Sequence, residues 1–139
     1  MIRLLIVAFL VTTQAAQAQT AGQKRLAPEE PYQALTLTPE QVHQVQTDLR
    51  RFLRDPDSAR FGAFAAAHRV SKPHTITVCG TVNAKNSYGG YTGSQPFVGM
   101  LRVNDGKMAF LPLDFGSSPL KIGVIMDYCL MRAATVPPL

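Results

Sequence analysis

The sequence predicts a single α+β domain in which an N-terminal and a C-terminal helix pack on an antiparallel sheet of about four strands. Three observations carry this prediction: two capped apolar segments at helical spacing, alternating strand-like segments between them, and two cysteines that can join strand to helix. The 139 residues suffice for one hydrophobic core. We divide the chain into a signal peptide (1–18), a flexible lead-in (19–35), the domain (36–133) and a tail (134–139).

The first 18 residues have the pattern of a secretory signal peptide. Arg3 is followed by an apolar run from Leu4 to Val11 and by small residues that end at Ala18. Because a membrane span needs roughly 20 apolar residues, we expect cleavage after Ala18 and no membrane span afterwards. An uncleaved anchor is the alternative. The mature protein is therefore expected in the periplasm or outside the cell.

The first helix is predicted to begin at Thr38. Thr38 can cap it, Pro39 suits its first turn, and Gln41 completes a capping box. Apolar spacing then predicts a buried stripe of Val42, Val45, Leu49, Phe52 and Leu53. Pro56 ends the helix, because the residue before a proline disfavours helical geometry.

The chain is basic, with a formal net charge of +5. This charge favours an envelope polymer or an acidic protein as partner, although solubility alone also explains it. Arg50, Arg51 and Arg54 are interpreted as complementing the dipole of the first helix, with a polyanion site as the alternative. Nucleic acid is not expected as a partner, because the chain carries an export signal and its cations are scattered.

The middle of the chain predicts strands. Residues 57–70 are ambiguous, and we favour an irregular strand over a helix. Thr75 to Ala84 alternates clearly, with an aliphatic row on one face and Cys79 on the other, which indicates a central strand covered on both faces. Phe97–Val103 and Met108–Leu113 then form a hairpin around an Asp-Gly turn.

The second helix is predicted to begin after Ser118, which caps Pro119 at the first helical position. Its inward stripe consists of Ile122, Ile125, Met126 and Cys129. In an oxidising compartment two cysteines predict a disulfide, so Cys79 and Cys129 are expected to join this helix to the sheet.

No catalytic or metal-binding set is recognisable in the sequence. His43, His68 and His74 lack the spacing of a metal site, so no metal and no cofactor are predicted. Four methionines could suggest a copper(I) site, but we interpret them as gap-filling core residues; they are Met100, Met108, Met126 and Met131.

The glycine-rich loop after the central strand is the most specialised segment. Its glycines match neither a phosphate loop nor a dinucleotide fingerprint. Its polar and aromatic side chains suit recognition of a polar ligand or a protein, and they are Asn83, Lys85, Asn86, Tyr88 and Tyr91. The alternative is a structural loop whose tyrosines pack on the sheet.

Two motifs resemble those of a known family. Asp55-Pro56-Asp57-Ser58-Ala59-Arg60-Phe61 resembles an Asp-Pro-x-Ser-Ala-Lys/Arg-Phe turn, and residues 79–93 resemble a Cys-Gly-x-Val-Asn-x-Lys-Asn-x-x-Gly-Gly-Tyr-x-Gly pattern. Together they are similar to a family of small exported bacterial proteins of unassigned activity, over roughly residues 49–99. The resemblance implies an envelope or secreted protein and a strand over residues 59–70, and it supplies no catalytic residues.

These observations favour a non-enzymatic binding or interaction module that uses the glycine- and tyrosine-rich loop. An envelope hydrolase with dispersed residues such as His68, His74 and Asp114 is one alternative. A structural accessory of an envelope assembly is the other.

Overall fold

Five antiparallel strands form one sheet in chain order, with one helix on each of its faces. The computed structural model describes residues 30–133, so the predicted signal peptide, most of the predicted lead-in and the predicted tail lie outside the described residues. The elements are β1 (Tyr32–Leu35), α1 (Pro39–Arg50), β2 (Arg60–Arg69), β3 (Thr75–Asn83), β4 (Gln95–Asn104), β5 (Lys107–Phe115) and α2 (Pro119–Ala133). The predicted α+β class, with two helices on an antiparallel sheet, is confirmed.

The sheet has five strands rather than the predicted four, because the end of the predicted lead-in forms β1. Tyr32–Leu35 pairs with residues 66–69 of β2 and becomes an edge of the sheet. Four residues after a proline carry too little alternation to indicate a strand. The pairing is instead stabilised by packing, since Leu35 contacts one core cluster and Tyr32 the other.

The core on the first face lies between α1 and the aliphatic row of the sheet. Val45 and Leu49 of α1 are fully buried there, together with Ala66, Ile76, Val78, Val82, Phe97, Leu101 and Phe110. The capping box at Thr38 and Gln41 is present as predicted. The helix ends at Arg50, earlier than predicted, because Phe52 and Leu53 donate their N–H groups to carbonyls only three residues back. Phe52 therefore leaves the buried stripe and is 57% exposed.

Asp48 is a buried carboxylate within this apolar interface, which the sequence did not indicate. Its Oδ2 accepts hydrogen bonds from Nε2 of Gln44 at 2.7 Å and from the N–H of Phe110 at 2.9 Å. Its Oδ1 lies 3.2 Å from Nη1 of Arg51. Asp48 therefore joins α1 to β5 by satisfying a buried backbone donor.

The core on the second face lies under α2. Ile125 and Cys129 pack there against Ala65, Ala67, Cys79 and Val98. The predicted disulfide is confirmed: Cys79 and Cys129 are bonded and nearly inaccessible to solvent, with Cα atoms 6.1 Å apart. β3 is the middle strand of the sheet, as the position of Cys79 indicated.

The irregular strand and the hairpin are also confirmed. The pairing of β2 with β3 shifts register between Phe61 and Phe64. The hairpin turns at Asp105 and Gly106, whose φ angles of 49° and 75° suit a two-residue turn of type I′. Of the methionines interpreted as core, Met131 is 75% exposed, because it lies on the outer face of α2. No helix within residues 30–133 is long and apolar enough to cross a membrane.

Candidate functional site

The loop between β3 and β4 is a folded miniature hairpin. Lys85 and Tyr91 form an isolated antiparallel bridge, and Thr92 donates its N–H to the carbonyl of Ala84. Oδ1 of Asn86 accepts the N–H groups of Tyr88 at 2.9 Å and Gly90 at 3.1 Å. The Asn86 side chain therefore fixes the tip of the loop from within.

Asn83 holds the base of the same loop. Its Oδ1 accepts the N–H of Gly93 at 3.1 Å, across the point where the chain returns towards β4. The two asparagines predicted as binding residues thus use their carbonyl oxygens to shape the loop. Each retains an amide nitrogen as a donor group.

Tyr88 projects from the tip with 97% of its surface exposed. Gly89 follows it with a φ of 83°, a conformation that favours glycine and lets the chain reverse directly after the aromatic ring. The alternative interpretation of the loop, in which its tyrosines pack on the sheet, therefore does not apply to Tyr88.

Tyr91 lies close to two cations. The guanidinium carbon of Arg60 lies 4.4 Å from the centre of the Tyr91 ring, and Nζ of Lys85 lies 5.7 Å from it. Tyr91 is 40% exposed, so part of its ring remains accessible. The geometry combines an aromatic surface with two positive charges.

The turn at residues 55–61 supports the loop from below. Oδ1 of Asp55 accepts the N–H of Ser58, and Oγ of Ser58 accepts the N–H of Lys85 at 2.9 Å. Arg60 then pairs with Asn83 at the start of β2. The two motifs that carry the family resemblance are therefore in direct contact.

A cleft of about 200 Å³ opens beside the loop, where the chain leaves α1. Arg54 and Lys85 supply positive charge to its walls, and Phe52 and Phe115 supply aromatic surface. The remaining lining residues are Leu53, Val82, Ala84, Asn86, Thr92 and Gln95, so none of the residues lining the cleft is acidic.

The absence of acids extends along the sequence. No aspartate or glutamate occurs between Asp57 and Asp105, a stretch that contains β2, β3, the loop and β4. Its charged residues are Arg60, Arg69, Lys72, Lys85 and Arg102. The loop therefore lies in a segment whose formal charges are all positive, and Arg54 adds a further cation in the cleft beside it, which favours anionic ligands.

The residues of the hydrolase alternative do not converge. Thr75, next to His74, pairs with Arg102, whereas Asp114 pairs with Val98 towards the other end of β4. Nζ of Lys121 lies 2.9 Å from Asp114, and this hydrogen bond lowers the pKa of the Asp114 carboxyl. Nδ1 of His68 lies 3.0 Å from the carbonyl oxygen of Arg69. Within residues 30–133, no group of three or more histidine, cysteine or acidic side chains could hold a metal ion.

Sequence reasoning missed three residues of this site: Phe52, Arg54 and Arg60. Phe52 was assigned to the core and Arg54 to the helix dipole, although both line the cleft. Arg60 occupies the Lys/Arg position of the first motif that carries the family resemblance. That position was the one indication in the sequence that a cation is needed here.

No protein-family model, no curated protein and no solved structure matches this chain.

Proposed function

We propose that this protein is an exported, non-enzymatic binding module that recognises an acidic envelope polymer or an acidic protein surface through the loop at residues 83–93. The family resemblance and the predicted signal peptide support an exported bacterial protein. The buried disulfide is compatible with an oxidising compartment.

A single observation carries the proposal: a fully exposed tyrosine is presented on a loop that asparagine side chains fix internally. Exposed aromatic rings on preorganised loops are typical of recognition surfaces, because little conformational entropy is lost when they bind. In this proposal Tyr88 is the aromatic anchor.

The charges beside this anchor set the class of partner. Lys85 and Arg60 flank Tyr91, and Arg54 adds a cation in the adjoining cleft. Carboxylate or phosphate groups on a polymer or protein would complement these cations, while Tyr88 and Tyr91 would contact rings or apolar parts of the partner. The amide nitrogens of Asn83 and Asn86 are further donors at the same surface.

Co-sedimentation with purified peptidoglycan, together with surface-based binding to immobilised polygalacturonate, tests the proposal. We expect Tyr88→Ala and Lys85→Gln each to weaken binding about tenfold, as for central residues of an interface. Lys107→Gln is the matched charge control, because Lys107 is the first residue of β5 and pairs with Asn104, at the opposite end of β4 from the loop.

Stability measurements separate recognition from packing. Tyr88→Ala should leave the melting temperature unchanged because its ring is exposed, whereas Tyr91→Ala should lower the free energy of unfolding by about 1 kcal/mol through loss of its cation contacts. The proposal fails if acidic probes and envelope extracts show no binding that the loop variants reduce and Lys107→Gln preserves.

A further inference from the structure

A second cleft, of about 150 Å³, lies on the other face of the sheet, beside α2. It is lined by Tyr32, Arg69, Lys72, Thr75, Thr77, Met100 and Tyr128, so it shares no residue with the cleft beside the loop. Its floor is formed by neighbouring strands, since Thr77 pairs with Met100. The disulfide holds α2 over Cys79, and the cleft opens where β3 continues towards Thr75.

The tyrosines of this cleft are held by stacked arginines. The guanidinium carbon of Arg132 lies 3.7 Å from the Tyr128 ring centre and 5.4 Å from that of Tyr32. Nε of Arg132 also donates to the hydroxyl of Tyr32 at 3.1 Å. On β2, the guanidinium carbon of Arg69 lies 5.1 Å from the Tyr32 ring centre. These contacts join β1, β2 and α2 into one fixed wall.

Positive charge exceeds negative charge around the cleft. Arg69 and Lys72 line it, and Arg132 stacks on its wall. The carboxylate of Glu30 lies near Arg69 and Lys72, and its oxygens accept hydrogen bonds from the N–H and the hydroxyl of Ser71. Those bonds, and then the charges of Arg69 and Lys72, lower the pKa of Glu30.

The hydroxyl groups of the cleft, like its cations, suit an anionic ligand. Thr77 is a buried threonine on the floor, Thr75 is half-buried beside it, and the phenols of Tyr32 and Tyr128 lie on the wall. Hydroxyl donors combined with a guanidinium and an ammonium group are the usual partners of a phosphate or sulfate oxygen. Met100 adds an apolar contact for whatever carries that group.

We infer that this cleft is a second binding site, which takes a phosphate or sulfate group, either free or on a small ester. It is separate from the loop surface: the cleft is at the Thr75 end of β3, whereas the loop follows Asn83 at the other end. The inference does not depend on the function proposed for the loop.

Amide chemical shifts recorded by NMR during titration with inorganic phosphate, inorganic sulfate and phenyl phosphate test the site. We expect saturable shifts at Thr75, Thr77 and Tyr128. Sodium chloride at matched ionic strength should not reproduce them, because screening alone is not site-specific. Tighter binding of phenyl phosphate supports an ester as the ligand, and equal binding supports the free anion.

Two conservative variants test whether the cleft residues bind the phosphate. Lys72→Gln removes an exposed charge, and Thr77→Val removes a hydroxyl while conserving shape; each should weaken phosphate binding about tenfold. Lys121→Gln is the matched charge control: Lys121 lines neither cleft and lies at the opposite end of α2 from Tyr128, so this variant should leave phosphate binding unchanged. Three results would each overturn the inference: shifts that sodium chloride reproduces, binding that neither cleft variant weakens, or shifts that map to Lys85 and Arg54 with none at Thr75, Thr77 and Tyr128.

Discussion

At the scale of single residues, Asp48 links α1 to β5 through a buried hydrogen bond. The N–H of Phe110 is buried in the core and donates to Oδ2 of Asp48 at 2.9 Å. A buried backbone donor without an acceptor is costly, so the carboxylate is stabilising in spite of its apolar surroundings.

Asp48→Ala should therefore lower the free energy of unfolding by about 1–3 kcal/mol, because the Phe110 N–H loses its acceptor. Asp48→Asn retains an acceptor oxygen and should lower it by less than Asp48→Ala does. Urea denaturation of both variants measures the difference. Equal stability of the alanine variant and the wild type would show that this hydrogen bond does not hold α1 to β5.

At the scale of elements, the disulfide fixes α2 on the sheet. Cys79 is in the middle of the central strand, and Cys129 lies on the inward face of α2, 50 residues later in the sequence. Most of the side chains that pack beneath α2 are small, since Ala65 and Ala67 lie beside the cysteines. Such a cluster buries little apolar surface, which makes the covalent link important for this layer.

Replacing both cysteines with alanine should lower the free energy of unfolding by about 4 kcal/mol in the chain-entropy model for a loop of this length. Guanidinium denaturation of the double variant and of the oxidised wild type measures this loss. Alkylation of the native, unreduced protein is the control, and detection of two free thiols would contradict the assigned bond.

At the scale of the whole molecule, the two clefts lie at opposite ends of β3. Val82 and Ala84 line the cleft beside the loop, whereas Thr75 and Thr77 line the cleft beside α2. Lys85 of the first cleft and Arg69 and Lys72 of the second lie within the stretch of sequence that lacks acidic residues. Because this stretch carries five basic residues and no acidic residue, its formal charge favours binding of anions at either end of β3.

Export is the prediction that belongs to the whole chain. We expect cleavage after Ala18 and a mature protein that begins at Gln19. Intact-mass analysis of the protein from the periplasm and from the medium of a bacterial host gives the N-terminus and distinguishes the two locations. Recovery of a chain that retains Met1 in the membrane fraction would contradict this prediction.

Features that depend on nearby residues were predictable. The capping box at Thr38, the hairpin at Asp105-Gly106 and the inward stripe of α2 follow from turn chemistry and periodicity within a few residues. The disulfide was predicted because the sequence has only two cysteines and an expected export signal. Strand β1 was not predictable, because its four residues form a strand only by pairing with residues of β2 that lie more than 30 residues later in the chain.

The candidate site also combines features that the local sequence predicts with features that depend on tertiary contacts. The sequence by itself determined that residues 83–93 form a polar, aromatic loop after a central strand, because composition and alternation are local properties. Only the tertiary structure decided that Ser58 supports Lys85, that Arg60 stacks on Tyr91 and that Phe52 faces a cleft. Each of these depends on strand register and on where α1 ends, and both are set by packing between segments far apart in the chain.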